Sequence, residues 1–176
     1  MASIENRPRT ELLGEGERWV TQLVGEPLLR ASFSYGGELR LHFGTSVPYE
    51  NARLAGRTRG EWVLGLRATP WVLAANGAIL SRSHDEQQHA LRHFEEIEGK
   101  PTAEARLRHS DVAVTLRFGD HCWFIALTEP RRRATKSLSL WELLTPGDVV
   151  VTAHSDRRLT IEAGSAEFSG DGEISG

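Results

Sequence analysis

Apolar and polar positions alternate along this chain in an order that occurs twice. Over residues 10–24, Leu12, Leu13, Trp19, Val20 and Leu23 follow partly helical spacing. Gly14 and Gly16 weaken the first half of that segment, and Gly25 ends it. A period of two follows: Leu29, Ala31, Phe33 and Tyr35 alternate with Arg30, Ser32 and Ser34. Gly36-Gly37 then marks a turn, and Leu39, Leu41 and Phe43 alternate with Arg40 and His42 on a return strand. From residue 85 the sequence repeats: Asp85 as N-cap, an apolar stripe of Leu91, Phe94 and Ile97, and a stop at Gly99-Lys100-Pro101. Ala103, Ala105 and Leu107 alternate next. His109-Ser110-Asp111 turns the chain, and Val112, Val114, Leu116 and Phe118 return.

The correspondence extends to single residues. Leu23-Val24-Gly25-Glu26-Pro27 matches Ile97-Glu98-Gly99-Lys100-Pro101, and Leu39–Gly44 matches Val114–Gly119. Trp71-Val72-Leu73 with Gly77 matches Trp141-Glu142-Leu143 with Gly147. Trp62, Leu64 and Leu66 form a further strand in the first copy. Cys122–Leu127 does so in the second, as a run apolar on both faces. Each copy ends in a Trp strand, a Gly turn and a return strand (78–80 and 149–151), and residues 158–162 supply one strand more. Extra residues of the first copy fall in a loop around 51–60. The expected fold is α+β but mainly β: two pseudo-symmetric helix-plus-antiparallel-sheet repeats, residues 10–84 and 85–163, in one β-sandwich or flattened barrel. Residues 1–9 and the Ser/Gly/acidic stretch 164–176 are expected to be disordered.

Composition narrows the function classes without choosing one. The 176 residues carry a formal net charge of -3, so nucleic acid or anionic membrane would need a local basic site. No apolar run is long enough for a transmembrane helix, and the N-terminal residues lack the apolar core of a signal peptide. The lone Cys122 forms no internal disulfide, which suits a reducing cytoplasm.

The unit (a Gly after the helix, an L-x-L/F-Gly strand, then Trp-x-Leu with a later Gly) resembles one carried once or twice by a group of small bacterial proteins of unknown function. The matching residues are Gly25, Leu39, Leu41, Phe43, Gly44, Trp71 and Gly77, then Gly99, Leu116, Phe118, Gly119, Trp141 and Gly147. The resemblance spans residues 23 to about 160. It implies a β-rich fold without an established activity, in a group of which some proteins are guessed to be immunity-like or accessory.

Candidate chemistry is sparse. His89 and His93 stand four apart on a helix, the spacing of two metal ligands on one face. They lie off the apolar stripe and read as solvated surface histidines, so no metal or other cofactor is assigned. Completing such a site would take Asp85, His109, His121 or Cys122. Neighbouring His121 and Cys122 point to opposite faces of a strand and cannot act together. No serine lies in a nucleophile elbow, and the carboxylates Glu95, Glu96, Glu98, Glu129, Asp148 and Asp156 all read as solvated.

The basic stretches stand out more. Arg131-Arg132-Arg133 with Lys136, and Arg53, Arg57 and Arg59, are each expected in the connection between a middle strand and a Trp strand. Guanidinium forks suit phosphate or carboxylate. The expectation is a cytoplasmic, non-enzymatic interaction protein that binds a protein or anionic partner through these arginines. The alternative is a small-ligand-binding β-barrel, or an enzyme built on one, with a cavity lined by Trp62 and Trp123. Nucleic-acid binding stands third, and exposed edge strands leave room for a homodimer.

Overall fold

The structure is a computed structural model and describes residues 7–34, 36–49, 54–67, 69–128 and 137–163. Two antiparallel sheets pack face to face as a β-sandwich, with two helices among the described residues. In chain order the elements are α1 (Arg9–Thr21), β1 (Leu28–Phe33), β2 (Leu39–Pro48), β3 (Thr58–Leu66), β4 (Trp71–Ala75) and β5 (Ala78–Arg82). Then come α2 (Gln87–Glu95), β6 (Thr102–Arg108), β7 (Ala113–Phe118), β8 (Cys122–Ala126), β9 (Ser139–Leu144), β10 (Val149–His154) and β11 (Leu159–Ala163). The first sheet runs β1-β2-β3-β9-β10-β11 and the second β5-β4-β8-β7-β6. Each sheet therefore mixes strands from the two halves of the chain. No helix among the described residues is long and apolar enough to cross a membrane.

Alternation explains the inward faces. Leu39, Leu41 and Phe43 of β2 and Leu116 and Phe118 of β7 are buried, and the Phe43 and Phe118 rings stack between the sheets at 6.3 Å. Trp141 of β9 is fully buried, and its indole N–H donates to the Val112 carbonyl at 2.8 Å, tying one sheet to the other. The alternation breaks at the start of β1, where a bulge between Leu28 and Arg30 buries Leu28 rather than Leu29. A bulge between Thr102 and Glu104 similarly buries Thr102 and leaves Ala103 exposed. Strand β8 differs from the expected doubly buried run. Cys122, Phe124 and Ala126 are buried, whereas Trp123 and Ile125 lie half-exposed on the outer face of the second sheet.

The helices close the open ends of the sandwich. α2 packs against β1 and β5, with Phe94 5.6 Å from Trp71 and 6.1 Å from Phe124. Asp85 does not cap this helix. Its carboxylate accepts the Arg82 N–H at 2.8 Å and the Ser81 hydroxyl at 3.3 Å, securing the preceding turn instead. α1 lies across β6 and β11, and Gly16 permits that approach: an added Cβ would meet Leu159 Cδ1 at 2.6 Å. At Gly14 nothing lies within 4 Å of an added Cβ. Gly14→Ala should therefore stabilise the protein by about 0.5–1 kcal/mol through helix propensity alone. A higher urea midpoint at unchanged slope is the expected result, and a lower midpoint would refute it.

Candidate functional site

The outer face of β1 and β2 carries the polar half of their alternation, and there the chain builds a cleft of about 440 Å³. Arg30 comes from β1, Arg40 from β2 and Arg57 from the connection to β3. Tyr49 and Thr58 stand on the rim, and Phe33 and Leu54 add apolar surface. No Asp or Glu is among the described lining residues. The Arg30 guanidinium donates to the Thr58 carbonyl, joining β1 to the start of β3. Its buried Nε has no hydrogen-bond partner among the described residues. The Ser34 hydroxyl is engaged by Glu38 at the turn.

His42 forms the floor of the cleft, only 2% exposed. The Gly60 N–H donates to its Nδ1 at 3.1 Å, so the neutral ring carries its proton on Nε2. Nε2 lies 3.2 Å from the Ser32 hydroxyl oxygen and donates to it. Burial, reinforced by the nearby positive charges of Arg30, Arg40 and Arg59, pushes the imidazole down to about 3. A general base would need a free lone pair on Nε2 to take the serine proton. In this arrangement Nε2 holds the proton, and the pair orients the hydroxyl without activating it.

Of the arginines singled out from sequence, Arg57 lines the cleft, while Arg59 is buried and bonds the Gly60 and Glu61 carbonyls at 3.1 and 3.2 Å. Arg53, Arg131, Arg132, Arg133 and Lys136 lie outside the described residues. The two basic stretches hold different places in strand order. Residues 53–59 precede or begin the strand that carries Trp62, whereas residues 131–136 follow the strand that carries Trp123. Trp62 packs in the core, 6.4 Å from Trp19, and Trp123 lies under the Arg117 guanidinium at 5.6 Å. The thiol of Cys122 is buried and pushed up by that burial.

A second cleft, of about 550 Å³, lies between α1 and β11. Arg7, Arg9 and Arg158 line it together with Glu162; Arg7 pairs with Glu11 and Glu15, and Arg158 pairs with Asp156. Both clefts carry arginines; among the described lining residues the second has the carboxylate of Glu162 and the β1–β2 cleft has none. Arg30, Arg40 and His42 were legible only as the polar half of an amphipathic hairpin, and no local motif marks them. Comparison of the chain with protein-family models, curated proteins and solved structures finds no match.

Proposed function

We propose that the protein is a non-catalytic binding module whose β1–β2 cleft receives the anionic group, phosphate or carboxylate, of a partner molecule. The convergence of Arg30, Arg40 and Arg57, from three separate segments, on one cleft with no Asp or Glu among its described lining residues carries this reading. The Ser32–His42 geometry supports the non-catalytic part, since the imidazole is committed as a donor. Arg53, Arg131–Arg133 and Lys136 belong to the proposal as further cations available to the same partner.

Titration with inorganic phosphate at low ionic strength, against chloride as control, tests it. Saturable binding is expected, and Arg30→Gln with Arg40→Gln should weaken it. Each lost charged hydrogen bond contributes ~1.5–3 kcal/mol, about tenfold or more per arginine. Undiminished binding in that variant would overturn the cleft reading. So would loss confined to an Arg131/Arg132/Arg133→Glu variant.

The tandem-repeat reading is likewise our proposal, and backbone pairing supports it. Gly25 N–H donates to the Thr102 carbonyl at 2.8 Å, and Gly99 N–H to the Leu28 carbonyl at 2.7 Å. Leu28 N–H donates to Lys100 and Thr102 N–H to Glu26, so matched positions exchange bonds reciprocally. Renaming each strand by its counterpart turns β1-β2-β3-β9-β10 into β6-β7-β8-β4-β5, the order of the second sheet. The units differ between their second and third strands. The connection from β2 to β3 runs over residues 49–57, of which Tyr49, Leu54, Gly56 and Arg57 line the cleft, whereas residues 119–121 join β7 to β8. Binding then belongs to the first unit, and the second acts as its structural complement.

A further inference from the structure

A second polar arrangement, on α2, is independent of the cleft. His89 and His93 stand one helical turn apart on α2, beside the face whose Ala90 and Phe94 are buried in the core; His89 is exposed and His93 half-buried. Their Nε2 atoms face each other at 3.3 Å, with the rings edge-on at 4.8 Å between centroids. Two nitrogen lone pairs at that distance repel unless something electrophilic lies between them. A proton on one ring meets the need, and so does a metal ion. Two ligands bound at ~2.0–2.1 Å with a tetrahedral angle lie about 3.3–3.4 Å apart. The spacing of the two Nε2 atoms matches that bite. The other nitrogen of His93, buried Nδ1, has no hydrogen-bond partner among the described residues and lies 3.7 Å from the Glu96 carboxylate. At that distance Glu96 stands just beyond hydrogen-bond reach; a carboxylate turned onto the far nitrogen would orient a metal-bound imidazole and raise its basicity.

We infer that His89 and His93 form an open two-nitrogen site for a zinc-class divalent cation, with Glu96 as its positioning carboxylate. Among the described residues no group of three His, Cys, Asp or Glu is arranged to hold a metal. The site therefore leaves coordination positions to water or to an external ligand. Imidazole donors favour zinc, nickel and copper over magnesium or calcium.

Equilibrium dialysis of the full chain, first stripped with chelator and then exposed to zinc chloride alone, tests the inference. The expected result is about one zinc ion per chain, with affinity falling about tenfold or more in His89→Asn and in His93→Asn. His109→Asn and His121→Asn should bind like the parent. Glu96→Gln should bind more weakly while keeping both imidazoles on the metal, seen as zinc-induced shifts of both ring nitrogens by NMR. Matching thermal melts without zinc show that the histidine variants still fold. Equal zinc binding in parent and both histidine variants, or no binding by the parent, overturns the inference.

Discussion

Acidification from pH 6.5 to 3 should remove ~4–5 kcal/mol of folding stability through His42 alone, at a limiting slope of about 1.4 kcal/mol per pH unit. His42 is held neutral in the folded chain, about 3 against an ordinary 6.5, first by burial and then by Arg30, Arg40 and Arg59. Across that window the unfolded chain binds a proton that the folded chain refuses, so stability rises with pH. The contribution is complete above pH 6.5 and lost as pH falls. Half-buried His154, also held low by burial, adds in the same direction. Asp85, Asp111 and Asp156 are held below their ordinary value, so their contributions are lost at lower pH, below about 4. The interval between pH 4.5 and 6 therefore isolates the histidines. Urea unfolding across it should show the steep slope in the parent and a much flatter one in His42→Asn, whose amide oxygen replaces Nδ1 as acceptor for Gly60. Equal slopes would show that His42 is not the acid-sensitive group.

Gly60→Ala should cost about 3 kcal/mol or more, a large share of the stability of an ordinary domain. Gly60 lies in β3 beside the irregularity in β2 between Phe43 and Ser46. A Cβ there would come within 2.6 Å of the Phe43 carbonyl oxygen, 2.7 Å of its nitrogen and 2.9 Å of the Trp62 carbonyl oxygen. All three are backbone atoms, two in β2 and one further along β3 itself, so relief requires β2 and β3 to separate and β3 to change its own backbone path. That separation would also break the Gly60–His42 hydrogen bond at the floor of the cleft. Urea denaturation should show a large fall in midpoint together with weakened phosphate binding. A loss under about 1 kcal/mol would mean that the ladder yields more easily than this packing allows.

The cleft was only half legible beforehand. Arg30, Ser32, Arg40 and His42 occupy the polar beats of β1 and β2, so their outward direction follows from alternation. Their convergence with Tyr49, just after β2, and Arg57, just before β3, is a tertiary arrangement that no local pattern encodes. Arg59 looked like a partner of Arg57 in sequence. In the fold its side chain bends along its own strand to satisfy two carbonyls. The His89–His93 spacing was visible at once, whereas the approach of their Nε2 atoms depends on side-chain geometry that spacing leaves open.

Period-two alternation is a local property. It was enough to place most strands, their inward faces and the mainly β class, because a sheet face must bury its apolar side whatever its neighbours are. Helix stops at Gly25 and Gly99 were equally local, since positive φ of 93° and 78° favours glycine. Strand partnership was not local. The Trp strands β4 and β9 leave the strands that precede them, and each joins the sheet of the other half, beside β8 and β3. Backbone hydrogen bonding is the same for any partner, so no residue pattern along one strand names its neighbour. Only packing the two apolar faces against each other, with a helix closing each end, chooses that exchange and so positions the cleft.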